Sequence, residues 1–96
     1  MSSTGREESK RQRYINVFVL VGRENDVNSV VKVIEGICLE YGGSYELKKG
    51  FLGNLLYIKI HCQQVYLEDV RKKVDYALNS FSDKISWMKS EVIDVK

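Results

Sequence analysis

Residues 14–21, Tyr-Ile-Asn-Val-Phe-Val-Leu-Val, form a run dominated by β-branched and aromatic residues and closed by Gly22. This is the composition of a buried central strand, so the chain must build a sheet around it. Ninety-six residues leave room for one domain. A chain this short buries only a little over half of its unfolded surface, so a small core or a partner must supply its stability.

The segments that follow predict what lies beside that strand. Asp26 offers an N-cap, and Val27, Val30, Val31, Ile34, Ile37, Cys38 and Tyr41 recur at helical spacing until Gly42-Gly43 supplies the stop. The spacing predicts a helix of about 16 residues, apolar on one face, with Gly36 marking a close crossing over the sheet. Ser44 to Lys49 alternates in polarity and leads through Gly50, Gly53 and Asn54 into Leu55–Cys62, a second alternating strand, which predicts a hairpin. Leu67, Val70, Val74, Ala77, Leu78 and Phe81 mark a second amphipathic helix. Ile85, Trp87, Ile93 and Val95 fit a closing strand with a bulge, whereas Phe81, Ile85, Met88 and Val92 continue the helical period. The turn-forming cluster Asn79-Ser80-Phe81-Ser82-Asp83 favours the strand. The order is then βαββαβ, an α+β ferredoxin-like domain over residues 13–96 with a four-stranded antiparallel sheet and both helices on one face. Residues 1–12 contain no large hydrophobe beyond Met1 and are expected to be a disordered basic tail.

Composition narrows the chemistry. Fifteen Lys and Arg against 13 Asp and Glu give a net charge of +2, which permits contact with phosphate without demanding it. Two cysteines, Cys38 and Cys62, fall where the pattern wants small buried hydrophobes, and with His61 as the single histidine no zinc site can be assembled. No cofactor and no metal are expected. His61 and Cys62 are adjacent on a strand and so point to opposite faces, which excludes a Cys-His couple. The remaining carboxylates scatter along helix faces, so no nucleophile, base and orienting group can be proposed and the protein is expected not to be an enzyme. No apolar run approaches the length of a membrane span, and the first residues lack the apolar stretch of a signal peptide. The expected location is intracellular, cytoplasmic or nuclear, without membrane contact.

The informative surface is the sheet face that two helices on the other side leave uncovered. Tyr14 and Phe18 from the first strand, and Tyr57 and Lys59 from the third, belong to the central pair and share this face. Aromatics flanked by lysine are what RNA-binding sheets use to stack bases and neutralise phosphate. The same Phe18 and Tyr57 could equally form a cross-strand pair covered by a second copy of the chain. Lys48-Lys49-Gly50-Phe51 is similar to the opening of the first signature of RNA recognition motifs, but Leu52-Gly53-Asn54 then reads as a turn, so Lys48, Lys49, Phe51 and Leu52 are expected to make a contact loop at the hairpin tip, for RNA or protein. Arg11 and Arg13 sit in a short basic run against the first strand, within reach of phosphate.

Three stretches carry a family likeness: Arg13-Tyr14-Ile15 at the first strand, Cys38-Leu39-Glu40-Tyr41-Gly42 at the first helix end, and Tyr57-Ile58-Lys59-Ile60-His61-Cys62 followed by Val70-Arg71 and Ala77-Leu78. Over residues 11–81 the chain resembles the Pop-five-type protein subunit of archaeal and eukaryotic ribonuclease P. That resemblance implies a noncatalytic RNA-binding subunit of a ribonucleoprotein in precursor-tRNA processing, acting with other protein subunits. The expected partners are structured RNA and either such subunits or a second copy. The RNA-binding residues would be Arg11, Arg13, Tyr14, Phe18, Lys48, Lys49, Tyr57 and Lys59. The alternative is a ligand-sensing module similar to ACT domains, using the loop Gly22–Asp26, or a module acting purely through protein contacts and oligomerisation.

Overall fold

The computed structural model describes residues 13–50, 54–81 and 83–94. The expected tail over residues 1–12, with Arg11, and the tip residues Phe51 and Leu52 lie outside the described residues. Strand β1 (Arg13–Val21) leads through a 3-10 turn (Glu24–Asp26) into helix α1 (Val27–Glu40), which is followed by β2 (Ser44–Lys49) and β3 (Leu55–His61). A second 3-10 turn (Gln64–Tyr66) opens helix α2 (Leu67–Asn79), which is followed by β4 (Ile85–Asp94). The sheet order is β2-β3-β1-β4 and every neighbouring pair is antiparallel. The protein is therefore an α+β protein with the ferredoxin-like arrangement.

Alternation along the strands decides which side is covered. In β1, Ile15, Val17, Val19 and Val21 are fully buried, and in β3 so are Leu56, Ile58 and Ile60. They pack against Val30, Ile34 and Ile37 of α1 and Leu67, Val70, Val74 and Leu78 of α2. Each such side chain contributes about 1.5–3 kcal/mol on burial, and the core side chains among the described residues are apolar throughout. Residues 85–94 form the expected strand, bulge included: the register with β1 shifts between Leu20 and Val21, leaving Ser86 as the extra residue. Asn54 holds the far end of β1, accepting a hydrogen bond from Val21 N–H at 2.9 Å and donating from its side-chain amide to the Val21 carbonyl at 2.8 Å.

Three local expectations change. Helix α1 is two residues shorter than the spacing implied, ending at Glu40, where Gly42 takes the left-handed conformation (φ +67°) and Gly43 N–H bonds to the Cys38 carbonyl at 2.7 Å. Asp26 occupies the N-cap position without making a side-chain cap, because it belongs to the preceding turn (φ −87°, ψ −3°) and lacks the extended backbone that aims a cap side chain at the first turn. Gly36 does not mark a close crossing: it lies on the exposed side of α1, and nothing comes within 4 Å of where its Cβ would be.

Candidate binding face of the sheet

Because β1 and β3 bury alternate residues under the helices, the others form the open face, and the strand register arranges them in four rows. At one end Ser44 lies beside His61, with Tyr14 and Ile93 continuing across the sheet. The second row is Glu46, Lys59, Asn16 and Glu91, and the third is Lys48, Tyr57, Phe18 and Lys89. Leu55, Leu20 and Trp87 form the fourth. The charged residues thus fall in the two middle rows, the third of which also holds Phe18 and Tyr57.

Phe18 and Tyr57 are directly opposite one another, with ring centroids 5.5 Å apart and planes at 89°, the edge-to-face geometry favoured by the aromatic quadrupole. Lys59 places its Nζ 4.8 Å from the Tyr14 ring centroid, and Tyr14 also stacks obliquely on His61 at 5.7 Å. His61 Nε2 meets Glu46 Oε2 at 3.1 Å on the exposed surface. Between β1, β2 and β3 the face dips into a shallow open cavity of about 180 Å³, lined by Asn16, Phe18, Glu46, Lys48, Tyr57 and Lys59. An aromatic floor with two ammonium groups, one amide and one carboxylate at its rim suits a flat ring carrying both phosphate and hydrogen-bonding edges.

The structure brings together Tyr14, Phe18, Lys48, Tyr57 and Lys59, and it places two other predicted residues elsewhere. Lys49 lies opposite the buried Leu56 and so shares the helix-side parity of β2. Arg13 has the parity of Ile15; its backbone exchanges hydrogen bonds with the Gln64 side chain at 3.1 and 3.0 Å, and its Nε stands 3.9 Å from Asp94. Sequence reasoning passed over Asn16, Glu46, Lys89 and Glu91. The signal was the alternation Trp87-Lys89-Glu91-Ile93, which becomes usable only once the β1–β4 register is known.

Both cysteines are free thiols, Cys38 buried and Cys62 half-buried. Burial pushes the Cys38 thiol up, with smaller contributions from Cys62 and Glu35, and burial pushes Cys62 up as well. Thiols held protonated in this way are poor nucleophiles. Among the described residues no three His, Cys, Asp or Glu side chains converge as metal ligands, and no helix is long and apolar enough to cross a membrane.

A ferredoxin-like domain with an open, mixed aromatic and charged sheet face is the class these features define. No family model and no curated protein matches the chain. Among solved structures it is similar to PA3566 from Pseudomonas aeruginosa, with a TM-score of 0.67 at 10% identity, covering 90% of this chain and 95% of that one. The de novo designed protein Foldit4 gives 0.67 at 11% identity over 88% and 97% of the two chains. A conserved protein from Methanosarcina mazei Go1 gives 0.63 at 10% identity over 95% and 99%. At such identities the likeness is one of fold.

Proposed function

We propose that the protein is a noncatalytic RNA-binding module that holds unpaired bases on the open face of its sheet. The observation that carries this reading is the Phe18–Tyr57 pair on the two central strands, flanked by Lys48 and Lys59 and set beside a base-sized hollow. Unpaired RNA offers every base a π-face to such a platform, and each stacked base contributes about 1–3 kcal/mol. The lysines take the phosphates, while Asn16 and Glu46 offer hydrogen-bonding groups to base edges, Glu46 as an acceptor for exocyclic amines. The resemblance to the ribonuclease P subunit supports a ribonucleoprotein as the setting, with precursor-tRNA cleavage by a reconstituted particle as its functional assay.

The test is a salt-titrated binding assay of the full chain against a folded RNA with unpaired loops, single-stranded RNA of equal length and duplex DNA. Binding to the two RNAs in preference to duplex DNA at physiological salt is expected. Replacing Lys48 and Lys59 together by Gln should flatten the salt slope by about 1.4, because each phosphate contact on a single strand contributes about 0.7. Lys49→Gln, on the other side of the sheet, should change the slope less. Equal, weak binding to all three nucleic acids would overturn the reading and leave a module acting through protein contacts.

A further inference from the structure

Strand β4 is the edge of the sheet: it pairs with β1 alone, and among the described residues no strand lies beyond it. At ten residues it is the longest strand, and the chain contains no proline to blunt it. Its bulge sits at the Ile85 end and leaves the stretch from Trp87 onward regular. Long, regular edges present unpaired backbone N–H and C=O groups, and proteins ordinarily protect them. The opposite edge, β2, has six residues and ends on Lys48-Lys49, which is such protection.

The sequence of β4 is self-complementary about Ser90. If a second copy runs antiparallel beside it with Ser90 facing the partner's Ser90, Lys89 stands opposite the partner's Glu91, Trp87 opposite the partner's Ile93, and Met88 opposite the partner's Val92. The alternation puts the first two pairs on the open face and the last on the helix side. Two charged pairs and four apolar pairs then form by symmetry, with Trp87, half exposed in the single chain, gaining a neighbour. Sliding the register by two residues in either direction places Lys89 against the partner's Lys89 or Glu91 against the partner's Glu91. Side-chain parity forbids slips by one, so among these neighbouring registers only the one centred on Ser90 sets opposite charges against each other.

We infer that two copies of this chain join β4 to β4 in that register, making one continuous eight-stranded sheet. The two-fold axis stands perpendicular to the sheet at Ser90, so both open faces lie on the same side. In the single chain Lys89 Nζ stands 3.9 Å from Glu91 Oε1. In the dimer each also meets its opposite across the strand boundary. This assembly does not depend on the RNA reading, although it would set two stacking platforms side by side.

The experiment is analytical ultracentrifugation of the full chain over a concentration series, with three variants. The wild type should show a concentration-dependent dimer. Lys89→Glu sets carboxylate against carboxylate twice and should weaken association about tenfold or more, while the Lys89→Glu/Glu91→Lys double variant restores the opposite pairs and should restore the dimer. Mild oxidation of Ser90→Cys should yield a covalent dimer linked from position 90 to position 90, located by peptide mass mapping. Ser90 lies on the helix side of the strand, so dimers packed through their open faces cannot form this link. A monomeric wild type, or a dimer that neither forms the 90–90 link nor responds to the charge swap, overturns the proposal.

Discussion

Tyr57 and Ile58 are neighbours in sequence but belong to different environments, since Ile58 is 1% exposed and Tyr57 is 40% exposed. Ile58→Ala removes packed methylenes and leaves a cavity, so it should cost about 2–5 kcal/mol in urea denaturation. Tyr57→Ala loses mainly the edge-to-face contact with Phe18 and should cost about 0.5–1.5 kcal/mol. Equal costs would show that the open face is covered. The cysteines carry a pH signature. Burial raises both thiols above the ordinary value of 9.0, so the folded state holds protons that the unfolded chain releases. The stabilisation is complete below the unfolded thiol pKa and is lost as pH rises through the raised folded values. Denaturation midpoints should therefore fall above about pH 9, and this alkaline loss should shrink in Cys38→Ala relative to that variant's own neutral-pH stability. His61 is an exposed strand residue, and its partner Glu46 came from β2, which only the pairing of strands could supply.

At the level of elements, glycine tests how far local pattern reaches. Gly36 reads in the sequence as a residue needed for close packing, yet it faces outward with free space around it. Gly36→Ala should therefore stabilise α1 by about 0.5–1 kcal/mol, seen as a higher melting temperature. Gly43→Ala should do the reverse, because a Cβ there would lie 2.5 Å from the His61 carbonyl oxygen and the backbone would have to move. The helices themselves were legible, since Val30, Ile34 and Ile37 or Val70, Val74 and Leu78 repeat with the helical period. The closing strand was legible for a different reason: the turn-forming cluster before it disfavours a continued helix, and the observed turn bonds Phe81 N–H to the Leu78 carbonyl and Lys84 N–H to the Phe81 carbonyl.

Across the whole molecule, one layer of two helices covers one face of the sheet and leaves the other open. If the two proposals hold together, an RNA strand long enough to cross both platforms should bind the wild type more tightly than a short one by more than its extra contacts explain. That gain should vanish in Lys89→Glu and return in Lys89→Glu/Glu91→Lys, which carries the same set of charges as the wild type on the face. A length dependence unaffected by the variants would separate RNA binding from assembly. Similarity to three solved structures at 10–11% identity follows the same logic, because many apolar sequences can fill one core.

What the chain determines by itself is the set of elements, their order and the residues each one buries, because period two and period 3.6 in hydrophobicity are local properties of backbone geometry. Tertiary structure alone decided the rows of the open face. Register aligned Glu46 with Lys59, Asn16 and Glu91, and the strand order set the self-complementary Trp87–Ile93 stretch along an open edge. Register depends on hydrogen bonds between residues far apart in the chain, and no local pattern of side chains records that pairing.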